Sequence, residues 1–279
     1  MSKYQFIVIV ASTERKQIIE SQFKQLDIDM SKNTQIHYLE ASVVANSQDY
    51  LYPTERFTSN QLKVMCCTRS HLRAIDYALR EDSPDFSIIM EDDVAMHKTK
   101  FISAINEIID KWREICSPLR ARMVSIGWVP CNSYSYYLNP PQTMQPSNAI
   151  CLPSLQDALI LHNYGPGMQC YIVSKSDIPT AVIQLTSHAN TTFDNFAKQF
   201  RLFLNAHANN YSIKYFNEND YDCYAIDEWL NKMLGAVRMH PMVAIEQDVP
   251  SLLNHNNQNG HWKRYFDNFE HIKKDYMTF

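Results

Sequence analysis

Short apolar segments alternate with amphipathic segments along the first half of the sequence, and this order constrains the fold more than any other feature. The predicted strands are residues 4–10, 35–40, 86–90, 122–127 and 168–173. The predicted helices, in which apolar residues recur at helical spacing, are residues 14–26, 63–80 and 99–116. Strands that alternate with helices form a parallel sheet covered by helices, so we predict an α/β fold with a mostly parallel central sheet flanked by helices.

Two stretches interrupt this order without marking a second domain. Residues 131–148 are rich in proline and tyrosine, and residues 205–222 are polar and rich in asparagine and tyrosine. Both predict long loops, which in compact domains are usually either functional or disordered. Because the sequence contains no repeat and no linker, we predict a single domain over residues 1–279.

Glycine is scarce, and its scarcity excludes two classes of nucleotide-binding fold. The chain has 5 glycines in 279 residues, with neither the GxGxxG pattern of Rossmann folds nor the GxxxxGK[ST] pattern of P-loop proteins. A phosphate site in this protein therefore has to be built without a glycine cradle. The close pair Gly165 and Gly167 indicates either close backbone approach to a ligand or a tight turn, and both interpretations stay open.

Charge, cysteine content and hydropathy limit the partners and the compartment. A net charge of −4 at pH 7 gives no global field that attracts nucleic acid or an anionic membrane. The 7 cysteines include no CxxC pair, which excludes zinc-ribbon spacing and indicates reduced thiols. No stretch approaches the ~18 apolar residues of a membrane span, and the N-terminus does not resemble a signal peptide. We therefore expect a cytoplasmic protein.

The segment with the most specific chemistry is a run of acids, Glu91, Asp92 and Asp93, directly after the predicted strand 86–90. Ligands of open parallel sheets bind outside the carboxyl ends of the strands. Carboxylates favour Mg²⁺ or Mn²⁺, and such a cation neutralises the charge that develops on a diphosphate leaving group. The alternative is a solvated acidic turn that stabilises the N-terminus of the next helix. The strand and its acids alone leave both interpretations open.

Motifs on both sides of these acids carry a family resemblance. In order along the chain they are CCTRSHLRA at 66–74, IIMEDDV at 88–94, GMQCYIVS at 167–174 and AIDEWL at 225–230. This ordered set resembles glycosyltransferase family 25, which contains bacterial lipooligosaccharide galactosyltransferases and the collagen galactosyltransferases. The likeness extends from residue 4 to about residue 255. Met65 and Ala225 stand where that family usually has glycine and proline, so neither the sugar nor the acceptor is transferred from it.

The resemblance implies a GT-A-like fold, in which an acidic motif of DxD type holds Mn²⁺ or Mg²⁺ against the diphosphate of a nucleotide-sugar. It implies Asp93 and Glu91 as metal ligands, since alternate residues that leave a strand point the same way. Asp92 would then bind the ribose or the sugar. The segment 249–255 resembles the closing motif of many GT-A domains, which implies His255 as a third metal ligand, with His240 as the alternative.

The same resemblance implies a donor site after the first strand and on the second predicted helix. Its candidate residues, beyond the acids, are Ser12, Thr13, Arg15, His71, Arg73 and Gly167. Arg15 would pair with a phosphate, and the alternative is an ordinary surface arginine. For His71 the alternative is a structural histidine whose ring nitrogens are satisfied by hydrogen bonds.

Inverting transfer needs a general base that deprotonates the acceptor hydroxyl. Asp227 and Glu228 begin a short predicted helix beyond the polar loop, and either is a candidate for this base. The alternative for Asp227 is an N-terminal helix cap, which is a common use of aspartate.

These implications predict a metal-dependent inverting glycosyltransferase that takes its sugar from a nucleotide-sugar, with a UDP-sugar favoured. Residues 1–130 would form the nucleotide-binding half, residues 131–260 the acceptor-binding half, and residues 261–279 a basic and aromatic C-terminal helix. The acceptor is a glycan or a protein, and a hydroxylated base of viral DNA is also open. Two other functions remain: a metal-dependent phosphohydrolase or nuclease, and a non-catalytic module that binds nucleotide-sugars.

Overall fold

The computed structural model describes residues 3–28, 35–43, 59–127, 150–152, 158–161, 168–207, 226–240, 242–246 and 274–277. Its strands are β1 (Tyr4–Val10), β2 (Gln35–Glu40), β3 (Phe86–Glu91), β4 (Val94–Met96), β5 (Met123–Gly127), β6 (Ile150–Leu152), β7 (Ala158–Leu161), β8 (Cys170–Ser174), β9 (Val237–His240) and β10 (Ala244–Glu246). Its helices are α1 (Thr13–Gln25), α2 (Ser59–Ala78), α3 (Phe101–Asp110), α4 (Trp112–Leu119), α5 (Thr180–Ala189), α6 (Phe193–His207) and α7 (Ile226–Met233). Within these ranges, none of the helices has the length and apolar character that crossing a membrane requires.

Eight of the described strands form one central sheet, in the order β2-β1-β3-β8-β5-β9-β7-β6. β2, β1 and β3 are parallel neighbours, β5 and β9 are parallel to each other, and β8 and β7 are antiparallel to the strands on either side of them. Six of the eight strands therefore run in one direction, and only β7 and β8 run in the other. The prediction of an α/β fold with a mostly parallel central sheet flanked by helices is confirmed.

The sheet is buried on both faces because helices cover each of them. Phe6 and Val8 of β1 pack in one apolar cluster with residues of α1, α3 and α4. Ile7 and Ile9 of the same strand pack in a second cluster with residues of α2, α5, α6 and α7. Successive side chains of a strand point to opposite faces, so one strand supplies both cores. This explains why residues 6–10 of β1 are a continuous apolar run rather than an alternating one.

The prediction of one continuous helix over residues 99–116 is wrong, because two helices, α3 and α4, occupy this region. The backbone leaves helical geometry at Lys111, where φ is −102° and ψ is 15°. Trp112 begins α4, and its indole nitrogen donates a hydrogen bond to Asp177, 2.7 Å away. The same ring packs edge-on against Phe86 at the start of β3. These long-range contacts orient α4 separately from α3.

Two further differences concern the second half of the chain. The predicted strand 168–173 corresponds to β8, whose direction the sequence did not indicate: it runs antiparallel to both β3 and β5. Helix α6 extends to His207, so the predicted loop 205–222 begins three residues inside a helix whose buried face includes Phe196, Phe200 and Leu204. The remainder of that loop, and the predicted loop 131–148, lie outside the described residues.

A small antiparallel sheet of β4 and β10 follows the acidic segment directly. The buried side chain of Gln22 in α1 fixes β4 by donating to the carbonyl of Val94 and accepting from the amide nitrogen of Met96, each at 2.8 Å. Both hydrogen-bonding groups of this buried amide are thereby satisfied. The turn that contains Asp92 and Asp93 is therefore held between β3 of the central sheet and β4 of the small one.

Candidate functional site

The acids lie where two parallel strands end side by side. In the β1–β3 ladder Ile9 is paired with Glu91, so the residues after each strand meet at one edge of the sheet. Ser12 follows β1 and caps α1, because its hydroxyl accepts a hydrogen bond from the backbone nitrogen of Arg15 at 3.3 Å. Thr13, the first residue of α1, is exposed. This edge brings the start of α1 together with the acidic turn after β3.

Asp92 connects the two segments. Its carboxylate accepts a hydrogen bond from the backbone nitrogen of Ala11 at 2.6 Å and one from Arg15 Nη1 at 3.1 Å. Burial raises the pKa of Asp92, while the Ala11 amide and the Arg15 guanidinium act in the opposite direction. Asp92 is therefore a buried acid whose charge is compensated by Ala11, which follows β1, and by Arg15 of α1.

The charge of Asp93 has fewer compensating partners than that of Asp92. Its Oδ2 lies 3.7 Å from Arg15 Nη1, and its buried Oδ1 has no hydrogen-bond partner among the described residues. Burial, together with the neighbouring charges of Glu91 and Asp92, raises the pKa of Asp93 to about 8, while Arg15 acts in the opposite direction. A buried carboxylate without full pairing is costly to ionise, so this position favours either a proton or a bound cation.

Glu91 has different partners from Asp93. Its Oε1 lies 2.9 Å from Nε2 of His71 and 3.8 Å from Sγ of Cys67, both on α2. The expectation that Glu91 and Asp93 point the same way was based on strand alternation, but β3 ends at Glu91 and the next two residues form a turn. The alternation therefore stops before Asp93. That the two acids share one metal ion stays a prediction.

The contact of Glu91 with α2 forms a cluster that the sequence analysis missed in part. Cys67 Sγ, a His71 ring nitrogen and a Glu91 carboxylate oxygen all lie within 4.8 Å of one another, as ligands of one metal ion would. His71 is buried, and its Nδ1 lies 3.1 Å from the hydroxyl of Tyr171 on β8. Cys67 and His71 are four residues apart on one helix, and this spacing is the sequence signal that could have found the pair.

The remaining predicted site residues lie on other elements or outside the described residues. Arg73 of α2 donates a hydrogen bond from Nη1 to the carbonyl of Glu40, 3.1 Å away, at the end of β2. Asp227 and Glu228 lie in the first turn of α7, which begins at Ile226, so Asp227 is inside the helix and not the residue that precedes it. His240 is the last residue of β9. Gly165, Gly167 and His255 lie outside the described residues.

Fold and site together define an α/β protein with an acidic cluster at the carboxyl ends of adjacent parallel strands. No family model matches the sequence, and no curated protein matches it either. Among solved structures, the chain is similar to the apo form of mouse xyloside xylosyltransferase 1, with 11% identity over 88% of this chain and 84% of that chain and a TM-score of 0.31. At this identity and TM-score the match assigns neither a family nor an activity to this chain.

Proposed function

We propose that this chain is a metal-dependent inverting glycosyltransferase that moves a sugar from a nucleotide-sugar, with a UDP-sugar favoured, to a hydroxyl acceptor. The observation that carries the proposal is the environment of Asp93, a buried acid next to Glu91 and Asp92 with Arg15 as the cation beside it. Three neighbouring acids at the carboxyl ends of parallel strands are best explained by a bound cation and an anionic ligand. The order of the sequence motifs supports the nucleotide-sugar as that ligand.

The residues that would hold the metal are Asp93, Glu91 and, outside the described residues, His255. Oxygen donors fit Mn²⁺ or Mg²⁺, and the buried Oδ1 of Asp93, which has no partner in the described part of the chain, fits a position for such an ion. When bound, the ion supplies positive charge that neutralises the departing nucleoside diphosphate. It also compensates the mutual repulsion of the acids.

The start of α1 would bind the nucleotide. The N-terminus of a helix attracts anions, and Ser12, Thr13 and Arg15 lie there. Arg15 holds Asp92 at 3.1 Å, and its planar guanidinium is a group that binds phosphate as well as carboxylate. Asp92 holds that guanidinium in place, while His71, Arg73 and Gly167 complete the proposed donor site.

Asp227 or Glu228 would act as the general base. Its carboxylate would take the proton of the acceptor hydroxyl while the acceptor oxygen bonds to the anomeric carbon and the nucleoside diphosphate departs from the opposite face. The first turn of α7 would therefore face the acceptor.

The proposed enzyme is a single domain, with a donor half at residues 1–130 and an acceptor half at residues 131–260. The acceptor is a glycan, a protein or a hydroxylated DNA base.

The test is metal-dependent binding and turnover of donors. The purified protein is incubated with Mn²⁺ and a panel of UDP- and GDP-sugars, and nucleotide binding and nucleoside diphosphate release are measured. We expect release to fall at least about 100-fold in Asp93→Asn, as for loss of a group that stabilises transition-state charge. The matched control is Asp110→Asn, which changes an exposed aspartate at the end of α3 and should leave release unchanged.

Three outcomes would contradict the proposal in different ways. Phosphate release from simple esters without sugar transfer indicates a phosphohydrolase. Metal-dependent nucleotide binding without turnover for any acceptor indicates a binding module. No donor binding at all, with Asp93→Asn behaving like the wild type, would contradict the existence of a nucleotide-sugar site.

Comparison of Asp227→Asn with Glu228→Gln identifies the general base. Replacement of the residue that acts as the base should lower kcat by about 10²–10⁴-fold.

A further inference from the structure

We propose that Cys67, His71 and Glu91, named here the thiolate cluster, form a binding site for a thiolate-preferring transition-metal ion of the Zn²⁺ type. This site is distinct in chemistry from the Mn²⁺ or Mg²⁺ site of the proposed function, because one of its three ligands is a cysteine sulfur. A thiolate combined with imidazole selects zinc and its relatives, whereas sites made mainly of carboxylates suit Mg²⁺ and Mn²⁺.

The fold brings the three ligands together from two elements. Cys67 and His71 lie one turn apart on α2, so their side chains share a face of that helix. The helix packs over the central sheet, where Leu72 and Ile75 lie in the same buried cluster as Ile89 of β3. This packing places the shared face of α2 against Glu91, the last residue of β3.

Two of the three donor separations are close to those of a metal site, and the third, between Cys67 Sγ and a His71 ring nitrogen, is within 4.8 Å. Tetrahedral zinc has bonds of about 2.3 Å to sulfur and about 2.1 Å to nitrogen and oxygen, which separates neighbouring donor atoms by about 3.4–3.6 Å. The Cys67 Sγ to Glu91 Oε1 distance is 3.8 Å, close to that spacing. The His71 Nε2 to Glu91 Oε1 distance is 2.9 Å and has to open by about half an ångström. The Glu91 side chain is 28% exposed, which leaves it room for that movement.

His71 is oriented in advance for this role. The hydroxyl of Tyr171 lies 3.1 Å from Nδ1, and the two rings stack with centroids 5.7 Å apart. Metal-binding histidines typically use their second ring nitrogen in such a bond, which fixes the ring and its tautomer. Nε2 is thereby left on the side of Glu91 and Cys67. His71 and Tyr171 are both buried, so the ring has little freedom to turn away.

The cluster also has access to solvent. Cys67 and Glu91 are only partly buried, so a water molecule can reach the ion as a fourth ligand. Three protein ligands with one exchangeable position is the arrangement of reactive rather than purely structural zinc sites. The Cys67 thiol gives its proton to solvent when it coordinates the ion.

The experiment uses the full chain, stripped of metal, with Zn²⁺ alone as the probe. Equilibrium dialysis measures stoichiometry and affinity, and Co²⁺ substitution reports sulfur ligation through its thiolate-to-metal charge-transfer absorption. We expect one equivalent bound with that absorption in the wild type. Cys67→Ser should abolish the absorption, and both it and His71→Gln should lower Zn²⁺ affinity at least about 10-fold, since loss of an outer partner alone costs that much.

Cys66→Ala is the matched control. Cys66 is the adjacent cysteine, but it is buried and lies outside the thiolate cluster, so its removal should leave the Co²⁺ absorption intact. A second measurement needs no variant: Zn²⁺ should protect Cys67 of the wild type from iodoacetamide, as read by mass spectrometry. Absence of the charge-transfer absorption in the wild type, its persistence in Cys67→Ser, or unchanged alkylation of Cys67 would each overturn the proposal.

Failure of this proposal is distinguishable from failure of the proposed function. Glu91 is common to both metal sites, whereas Cys67 belongs to the thiolate cluster and Asp93 to the carboxylate site. Asp93→Asn should therefore keep Zn²⁺ binding and the Co²⁺ absorption while it loses Mn²⁺-dependent donor release. A protein that binds Zn²⁺ through Cys67 but never turns over a nucleotide-sugar supports the thiolate cluster alone.

Discussion

The guanidinium of Arg15 lies 3.1 Å from the carboxylate of Asp92, although the two residues are 77 positions apart in the sequence. The contact exists because β1 and β3 are parallel neighbours whose carboxyl ends coincide. The same guanidinium lies 3.7 Å from Asp93. Arg15 therefore joins the start of α1 to the acidic turn, and its positive charge offsets those of the buried Asp92 and the largely buried Asp93.

We expect Arg15→Ala to destabilise the fold by about 3 kcal/mol, because removing one partner leaves buried carboxylates uncompensated. The loss should be smaller at pH 5 than at pH 8, since the raised pKa values of Asp92 and Asp93 rise further without Arg15 and protonation then removes their charges. Denaturant unfolding at both pH values measures this. Lys16→Ala, which breaks an exposed pair with Glu20, is the control and should cost less than about 1 kcal/mol. Equal losses for the two variants would contradict the role of Arg15.

Asp93 should make the protein less stable as the pH rises. Its pKa is about 8 in the folded chain because burial and the adjacent acids disfavour its charge, whereas an unfolded aspartate has a pKa of about 3.9. Between these values the folded state holds more protons, so the free energy of unfolding falls as the pH increases from about 4 to about 8. Asp93→Asn cannot lose this proton, so its profile should be flatter and its stability at pH 8 should exceed that of the wild type.

A divalent cation should counteract the loss of stability at high pH. Mn²⁺ at pH 8 should raise the melting temperature of the wild type, because a cation bound at Asp93 neutralises the negative charge of its carboxylate. Asp93→Asn should respond less, and Asp110→Asn should respond like the wild type. An identical pH profile for the wild type and Asp93→Asn would contradict the environment described for this acid.

The Tyr171–His71 hydrogen bond should matter for function as well as for stability. Tyr171→Phe removes a buried hydroxyl partner of His71, which should cost about 1–2 kcal/mol and lower donor turnover about 10-fold. Tyr77→Phe is a matched control, since it removes a similar bond between the Tyr77 hydroxyl and His37 Nδ1, 2.7 Å long and away from the site. We expect the control to keep turnover. If both variants lose turnover equally, the Tyr171 bond has only a structural role.

Gly127→Ala should destabilise the junction between the two sheets. A Cβ at this position would lie 2.9 Å from Cβ of Ala244, 3.0 Å from its carbonyl oxygen and 3.1 Å from Cβ of Cys170, so β10 or β8 would have to shift. Overpacking of this kind costs about 1–3 kcal/mol, measurable by denaturant unfolding. A second change, Ala244→Gly, removes the closest of these contacts and should restore part of the loss. Full stability of Gly127→Ala would show that the junction is loosely packed.

The sequence alone predicted the elements whose patterning is local. The bounds of β1 and β2 agree with the predicted strands, and α1, α2 and β3 agree within a few residues, because apolar periodicity reflects which face of each element is buried. The position of the acids was also visible in the sequence, since Glu91, Asp92 and Asp93 stand at the end of an apolar run that forms β3. No pattern predicted α5 or α6, although Phe196 and Phe200 do recur at helical spacing.

The partners of each acid were decided only by the tertiary structure. Arg15 reaches Asp92, and Cys67 and His71 reach Glu91, because β3 lies between β1 and β8 while α2 packs across the sheet. The antiparallel course of β8, which brings Tyr171 beside His71, was equally absent from local patterns. Local periodicity shows which residues are buried, but it does not show which distant residues they contact. Strand order and direction depend on pairings between distant segments, and those pairings determine which side chains share a charge, a proton or an ion.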